Sequence, residues 1–358
     1  MRTTTATNGT VIKYPDAFGF VFCPSLVKVT NTNADYMEVT LTDESDNTIG
    51  SIKASARNGK AHIDLSAYVQ TLFDTNRIEL PSTYPATMTD TFLVREIYVS
   101  VFVQLNGQQD TFEFHTTYVW GAPKSLEVFN RVRKVRYFTN YPFALSVFSV
   151  TGAEHYIVND GTDVAADPDS TGMWLVNLNA YENADTLVWK DDVGVLLPID
   201  DENGFTVMRV RNGMEARYNI VFDKKTNEGV YLRWFDRCGF LCHFLFKLEN
   251  ETINAADEND FVRNNIGVEQ DYGFGGAYGV LANKTRNESK VIGAPQLDRG
   301  EWWWIADIVS SPIVQMYLGN GNWQNVRING GSFKHDTETD LQDFACTLII
   351  DDIRTQRL

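Results

Sequence analysis

Alternation of apolar and polar residues with a period of two runs through most of this chain and restricts its fold. The clearest case flanks Asn106-Gly107, where the run 98–105 leads in and the run 112–120 leads out. An Asn-Gly pair tolerates positive φ at both central positions, as the tight turn of a β-hairpin requires. Four aromatic residues of the outgoing run share one face: Phe112, Phe114, Tyr118 and Trp120. The sequence therefore predicts an antiparallel hairpin here.

The same alternation predicts further hairpins and very little helix. The predicted turns are Asn212-Gly213, Asp236-Arg-Cys-Gly239 and Gly319-Asn-Gly-Asn322, and a last strand is expected over 341–350. Apolar residues at helical spacing predict one short helix within 65–73, capped by Asp64, and a second is expected within 302–309. Short strands with so little helix favour an all-β fold of two or three antiparallel β-sandwich domains with one or two short helices.

Composition divides the 358 residues into three expected domains. Residues 1–122 form an N-terminal β-sandwich domain, which ends at Gly121-Ala-Pro123. Residues 123–250 form a middle β-sandwich domain, and residues 251–358 a C-terminal β-rich domain that could pack back on the first. The acidic stretch 249–260 interrupts the strand pattern, so we expect a linker or a long loop there.

The charge balance is acidic and disfavours two classes of partner. Lys and Arg number 31 against 47 Asp and Glu, which gives a formal net charge of -16. Such a field repels nucleic acid and anionic membranes, so neither is an expected partner. The first residues lack the apolar core of a signal peptide, and no run of 18 apolar residues occurs. Folding in a cytosol is therefore expected.

The only Cys/His cluster, Cys238, Cys242 and His243, does not have the pattern of a metal site. Zinc needs four converging ligands, and the second pair is missing here. Cys242 and His243 are neighbours in a predicted strand, so their side chains point to opposite faces. We expect all four cysteines, including Cys23 and Cys346, to be buried thiols. The sequence thus predicts neither a metal nor another cofactor.

Other patterns with possible chemistry are also better explained by structure. The chain has no Gly-x-Ser-x-Gly elbow, and its five histidines are scattered. Its paired acids, such as Asp200-Asp201, lie next to turn glycines, and the acids of 160–169 lack the spacing of a calcium loop. The glycine-rich run 273–279 does not open a helix, so a flexible loop is favoured over a phosphate cradle. No catalytic residue is predicted; a hydrolase site assembled only by tertiary structure stays open as an alternative.

Two segments are candidates for protein interfaces. The first is the basic run Arg131-Val-Arg-Lys-Val-Arg136, in which Arg131 and Arg133 share one strand face and Lys134 and Arg136 the other. An acidic copy of the chain or another acidic protein would complement it, with nucleic acid as the weaker alternative. The second is Trp302-Trp303-Trp304, whose rings cannot all be buried on one face. Interface cores favour such rings, whereas a wide sandwich core and a carbohydrate platform are the alternatives.

Three segments resemble tail-associated structural proteins of Bacteroidetes phages and prophages. The first is 62–73, the second is 230–239 with the aromatic strand that follows, and the third consists of the runs 310–318, 323–328 and 341–344. The nearest analogy is the distal tail protein, which forms a ring beneath the tail tube and carries a sandwich domain outside it. In the second segment, Cys238 and Phe240-Leu-Cys242 replace the glycine- and tyrosine-rich turn of the pattern. The resemblance implies no catalytic residue.

The resemblance implies a non-enzymatic structural protein of the phage tail or baseplate. It would be made in the bacterial host cytoplasm and located in the virion, as a distal-tail-like ring component. Its expected partners are other copies of itself in the ring and other tail proteins. The alternative is a carbohydrate- or receptor-binding β-sandwich module whose partner is a host glycan.

Overall fold

The computed structural model describes most of the chain and confirms an all-β fold, with two short α-helices among the residues it describes. The described residues are 1–6, 9–30, 34–43, 45–73, 80–84, 87–90, 93–105, 108–123, 132–138, 140–149, 155–159, 162–166, 172–177, 199–200, 204–211, 214–223, 228–263, 278–330, 333–336 and 338–352. Within them, most residues lie in strands and most strand pairs are antiparallel. No helix in these ranges is long and apolar enough to cross a membrane.

The chain folds into two compact units, within each of which most spatial contacts between residues are made. Unit 1 comprises Met1–Thr226, Trp234–His243 and Ser310–Pro312. Unit 2 comprises Asn227–Arg233, Phe244–Val309 and Ile313–Leu358. The boundary expected at residue 122 thus lies inside unit 1, and the one expected at residue 250 lies inside a continuous strand.

Unit 1 is built from several small sheets, whose strands are listed here in chain order. They are β1 (Arg2–Thr5), β2 (Val11–Tyr14), β3 (Phe18–Phe20), β4 (Leu26–Thr30), β5 (Ala34–Thr42), β6 (Thr48–Ser55), β7 (Lys60–Asp64), β8 (Thr87–Asp90), β9 (Val94–Leu105), β10 (Gln108–Val119), β11 (Val132–Phe138), β12 (Ala144–Ser149), β13 (His155–Asn159), β14 (Thr162–Ala166), β15 (Gly172–Asn177), β16 (Ile199–Asp200), β17 (Gly204–Arg211) and β18 (Met214–Asp223). The sheet orders are β1-β2-β4-β7, β3-β10-β9-β5-β6, β11-β18-β17-β16 and β12-β15-β8, with β13-β14 as a separate pair.

The predicted hairpins of unit 1 are confirmed, but two of its strand pairs are parallel. β9 and β10 pair antiparallel from Val94↔Val119 to Leu105↔Gln108, on either side of the expected turn. β17 and β18 pair in the same way. Against the antiparallel expectation, β10 pairs parallel with β3, and β18 pairs parallel with β11. Strands distant in sequence form these parallel pairs, so no hairpin signal could indicate them.

The core of unit 1 follows the pleat of its strands. On β5 the alternate residues Met37, Val39 and Leu41 are fully buried. β9 continues the pattern with Ile97, Val99, Val101 and Val103, which all lie on one face. Burying one apolar face and leaving the other to solvent is how the sequence alternation stabilises an antiparallel sheet.

Tyr118 and Ser25 form a buried hydrogen bond between two of these sheets. Tyr118 lies on β10 and Ser25 directly precedes β4; their hydroxyl groups share the bond. Burial raises the pKa of Tyr118 to about 12, since the bond to Ser25 only partly offsets it and the Asp64 carboxylate acts in the same direction as burial. In the folded chain, the Tyr118 phenol therefore stays neutral up to a higher pH than the phenol of an exposed tyrosine does.

We expect wild type to lose roughly 2–3 kcal/mol of unfolding free energy as the pH rises from about 10 to about 12 because of Tyr118. When the pKa of a group is higher in the folded state than in the unfolded state, its contribution to stability is complete at pH values below the unfolded-state pKa. That contribution is lost as the pH rises to the folded-state pKa. Denaturant titrations at several pH values would show this part of the loss in wild type and in the exposed control Tyr98→Phe, but not in Tyr118→Phe. The loss that comes from Cys346, whose pKa burial also raises to about 12, is common to all three chains. An identical pH dependence of all three would contradict the expectation.

The first predicted helix is confirmed at a shorter length, and the expected cap is wrong. α1 spans Ser66–Gln70, and Leu65, which makes no side-chain cap, is its N-cap residue. Asp64 instead accepts hydrogen bonds from the backbone N–H groups of Ser66 and Ser25, both at 3.0 Å. Burial opposes ionisation of Asp64, but these bonds outweigh it and lower its pKa. Asp64 therefore joins the helix start to the strand that follows Ser25.

Most of a closed sheet of six strands lies in unit 2, whereas its residues 234–235 and 241–243 belong to unit 1. The strands are β19 (Val230–Phe235), β20 (Leu241–Arg263), β21 (Tyr278–Asp298), β22 (Val314–Gly319), β23 (Asn322–Ile328) and β24 (Leu341–Asp352), in the closed order β19-β20-β21-β24-β23-β22. The helix α2 spans Arg299–Ala306 and continues as a 3₁₀ turn over Asp307–Ser310. The predicted hairpins that join β19 to β20 and β22 to β23 are confirmed.

The acidic stretch 249–260 is the main correction to the predicted fold. It forms no linker, since β20 runs without interruption from Leu241 to Arg263 and pairs with β21 along most of its length. A single register shift, between Leu248 and Asn250, accompanies the change in pattern. The prediction failed because exposed strands need no apolar face, so charge density alone does not distinguish them from loops.

Candidate interaction sites

An open pocket of about 510 Å³ lies in unit 1, and we call it the aromatic pocket. Five separate segments line it: 22, 73, 120–122, 235–237 and 310–312. No local pattern connects these segments, which are as much as 290 positions apart. The walls of the pocket are mainly aromatic and aliphatic, and its polar groups belong to Asp236, Arg237 and the two serines that precede Pro312.

Three aromatic rings form one side of the aromatic pocket. Trp120 is buried, and Phe22 packs edge-on against it with ring centroids 4.7 Å apart and an interplanar angle of 84°. Phe73, just beyond α1, lies 6.2 Å from the same indole. Phe22 remains 44% exposed, whereas Phe73 and Trp120 are 7% and 5% exposed. The pocket thus presents one accessible ring on a buried aromatic base.

Backbone hydrogen bonds around Gly121 fix the segments that carry these rings. The N–H of Phe22 donates to the carbonyl of Gly121 at 3.2 Å, and the N–H of Ala122 donates to the carbonyl of Arg237 at 2.5 Å. Gly121 has φ +153, and a Cβ atom there would lie 2.9 Å from the carbonyl carbon of Cys238. Only a residue without a side chain permits this approach of two backbones.

The opposite wall is the turn between β19 and β20. The carboxylate of Asp236, which is 4% exposed, accepts hydrogen bonds from the backbone N–H groups of Cys238 (2.8 Å) and Phe240 (2.9 Å). Gly239 takes a positive φ of 80° in the same turn. The N–H of Phe235 donates to the hydroxyl of Ser311 at 3.1 Å, which attaches the segment 310–312. A buried carboxylate therefore holds this wall in place.

The cluster Cys238, Cys242 and His243 lies beside this turn and is buried. His243 Nε2 and the hydroxyl of Tyr84 are 2.8 Å apart, and the thiol of Cys242 donates to the carbonyl of Phe240 at 3.6 Å. Within the described ranges, no group of three His, Cys, Asp or Glu residues could hold a metal ion. Cys346 is buried as expected, and burial raises its pKa to about 12; Cys23 is only half-buried.

In unit 2 the three tryptophans lie on α2. Asp298 and Glu301 form a capping box at its start: each accepts a hydrogen bond from the backbone N–H of the other. Trp302 and Trp304 are 3% and 7% exposed and belong to the core, where Trp302 lies 6.1 Å from Phe344. The structure therefore corrects the predicted surface role of these two rings.

Trp303 is the tryptophan of this run that reaches the surface. It is 45% exposed and stacks on His335, with ring centroids 5.7 Å apart and an interplanar angle of 17°. His335 also packs edge-on against Trp302 at 4.9 Å. Of the three predicted interface tryptophans, only Trp303 presents a ring that a partner could contact.

The basic run predicted as an interface lies on β11. Arg131 falls outside the described residues, whereas Arg133, Lys134 and Arg136 lie on the strand, and the last two are half-buried. β11 is the end strand of its sheet in the order β11-β18-β17-β16. Much of the glycine-rich run and of the acidic loop 160–169 also lies outside the described residues, although Gly279 is part of β21.

Sequence reasoning missed the aromatic pocket and the residues that form it. Phe22, Phe73 and Phe235 each lie in an ordinary apolar pattern, and only tertiary structure brings them together. The one local signal was Gly121-Ala-Pro123, which was interpreted as a domain end. A glycine between a buried tryptophan and a proline could also have indicated a close approach of two backbones.

Comparisons with known proteins give little. The chain matches no protein-family model and no curated protein. Among solved structures it is similar to the β-glucuronidase of Parabacteroides merdae, with 10% sequence identity and a TM-score of 0.18. The alignment spans 37% of this chain and 17% of the enzyme chain. A likeness of this size carries no argument about fold or function.

Proposed function

We propose that this chain is a structural subunit of a phage tail or baseplate, a distal-tail-like ring component that acts through protein–protein interfaces. The aromatic pocket carries the proposal. A concave, mainly apolar surface with an exposed phenylalanine above a buried tryptophan resembles the centre of a protein interface, where aromatic anchors supply most of the affinity. The resemblance of three segments to tail-associated proteins gives the assembly its context.

The occupant we expect is an apolar segment of a neighbouring copy in the ring. A ring requires a heterologous contact, in which one surface of a subunit receives a different surface of the next. The aromatic pocket, at about 510 Å³, is large enough to enclose apolar side chains of a partner. The contact would therefore be more than a meeting of two flat surfaces. The proposed location is the virion, where the chain contacts its own copies and other tail proteins.

Replacing Phe22 with serine is expected to weaken self-association at least about tenfold, as loss of an aromatic anchor does. Phe22 is 44% exposed and its ring contact with Trp120 is worth about 0.5–1.5 kcal/mol, so the monomer should lose only a little thermal stability. Sedimentation velocity at micromolar concentration would measure the oligomer, with Tyr98→Ser, at 41% exposure, as the matched control. A wild-type chain that stays strictly monomeric and is absent from purified virions would refute the proposed function.

A further inference from the structure

The hairpin of β22 and β23 ends in a tight turn that presents one leucine to solvent. Leu318 is 58% exposed, the largest exposed fraction of any leucine among the described residues. The turn after it takes positive φ at Gly319, Asn320 and Gly321, with values of 93°, 52° and 78°. A Cβ atom built on Gly319 meets no atom beyond its chain neighbours within 4 Å, so the space beside the turn is open. We call residues 318–322 the leucine tip.

Aromatic contacts hold the base of the leucine tip in place. The hydroxyl of Tyr317 accepts a hydrogen bond from the N–H of Gly321 at 3.2 Å, which ties the two sides of the turn together. The ring of Tyr317 packs against Trp323 on β23, with centroids 4.9 Å apart. Trp323 in turn lies 6.0 Å from the buried ring of Tyr231. A tip that is already ordered loses little conformational entropy when it binds a partner.

The sequence around Leu318 carries no charge. Between Asp307 and Arg327 the chain has no charged residue. The other large apolar side chains that are exposed outside the aromatic pocket each have a charged residue within two positions; in the described part of the chain they are Met1, Tyr98, Leu248, Ile253, Trp303 and Leu341. Taking such a neighbouring charge out of water costs free energy. Leu318 is therefore the exposed apolar residue best suited to enter an apolar cavity.

The aromatic pocket has properties that match the leucine tip. Its accessible ring is Phe22 above the buried Trp120, and the formal charges of its two ionic residues, Asp236 and Arg237, cancel. A cavity of about 510 Å³ can hold the Leu318 side chain together with part of the turn. Leu318 does not line this pocket and stays exposed, so the pocket of its own chain does not hold it.

We propose that the leucine tip of one copy inserts into the aromatic pocket of the next copy, where Leu318 packs on Phe22. The tip and the pocket are different surfaces of one chain, so the contact is heterologous, as a ring requires. Copies of net charge -16 repel each other, and two surfaces without net charge are where they meet at the lowest electrostatic cost. The inference rests on the proposed function and names the segment that fills the pocket.

Removing the leucine tests the tip directly. Leu318→Ser should raise the dissociation constant of self-association at least about tenfold, because burying a leucine side chain is worth at least that factor. The matched control Leu341→Ser removes a leucine of nearly equal exposure, 56%, and should associate like wild type. Sedimentation velocity at micromolar concentration measures both variants. If Leu318→Ser associates like wild type while Phe22→Ser does not, the tip is refuted as the occupant and the proposed function stands.

Mixing two variants tests whether the tip and the pocket meet each other. Phe22→Ser keeps an intact tip and Leu318→Ser keeps an intact pocket. At a concentration where each variant alone is monomeric, an equimolar mixture should form a dimer, and this dimer also shows that both variants are folded. It should not grow further, because its remaining tip and its remaining pocket are both mutated.

The outcomes of the mixing experiment separate the pairing from the proposed function. A mixture that stays monomeric, or that grows beyond the dimer, refutes the insertion of the tip into the pocket. A monomeric wild-type chain also refutes this insertion, and its absence from purified virions would then refute the proposed function as well.

Discussion

Gly121→Ala is expected to destabilise unit 1 by about 3 kcal/mol or more. The new Cβ would lie 2.9 Å from the carbonyl carbon of Cys238 and 3.0 Å from the carbonyl oxygen of Arg237. Both are backbone atoms, so no side-chain rotation can relieve the contact. Either two backbones separate, or the hydrogen bond from Ala122 to Arg237 is lost.

Gly9→Ala is the matched control for Gly121→Ala. Gly9 has φ +80 and no atom within 4 Å of a built Cβ, so its substitution costs only the backbone strain, about 1–2 kcal/mol. Denaturant unfolding of both variants would measure the difference. Equal stabilities of the two would show that the close approach at Gly121 is not tight, and the aromatic pocket would lose its structural basis.

Asp236→Ala is expected to cost about 3 kcal/mol of unfolding free energy. The substitution leaves the N–H groups of Cys238 and Phe240 without their acceptor in a buried turn, and each unsatisfied group costs roughly 1–3 kcal/mol. Asp236→Asn retains a side-chain oxygen and removes the charge, so its cost should be about 1 kcal/mol.

Two measurements check the expectation for Asp236. Urea titration gives the stabilities, and amide hydrogen exchange gives the protection of the Cys238 and Phe240 N–H groups. Protection should fall in Asp236→Ala and persist in Asp236→Asn. Wild-type stability in the alanine variant would mean that the carboxylate does not hold the turn, and the wall of the aromatic pocket would need another explanation.

Local features of the fold could be predicted from the sequence, and tertiary ones could not. The hairpins of β9 with β10 and of β22 with β23 follow from alternation and turn residues within about 25 positions. The parallel pair of β11 with β18 joins residues about 85 positions apart, where no hairpin signal exists. The aromatic pocket forms only because residues 235–237 and 310–312 pack beside residues 22, 73 and 120–122, which are far from them in sequence.

The candidate site residues show the same division. That Trp302, Trp303 and Trp304 could not all be buried on one face was correct: Trp303 is exposed. Which two rings enter the core depends on the residue at which α2 begins. The capping box of Asp298 and Glu301 sets that starting residue. For β11, charge identified the run, but its position at the end of a sheet required the strand order.

The division of the chain into units has a consequence for its synthesis. The polypeptide passes from one unit to the other after residues 226, 233, 243, 309 and 312, so neither unit is one contiguous stretch. On a translating ribosome, the N-terminal 226 residues emerge long before Ser310–Pro312, which complete the wall around Phe22 and Trp120. Apolar surface at that wall therefore stays uncovered until residues 310–312 have emerged, and unit 1 closes only after residues 244–309 of unit 2 have been made.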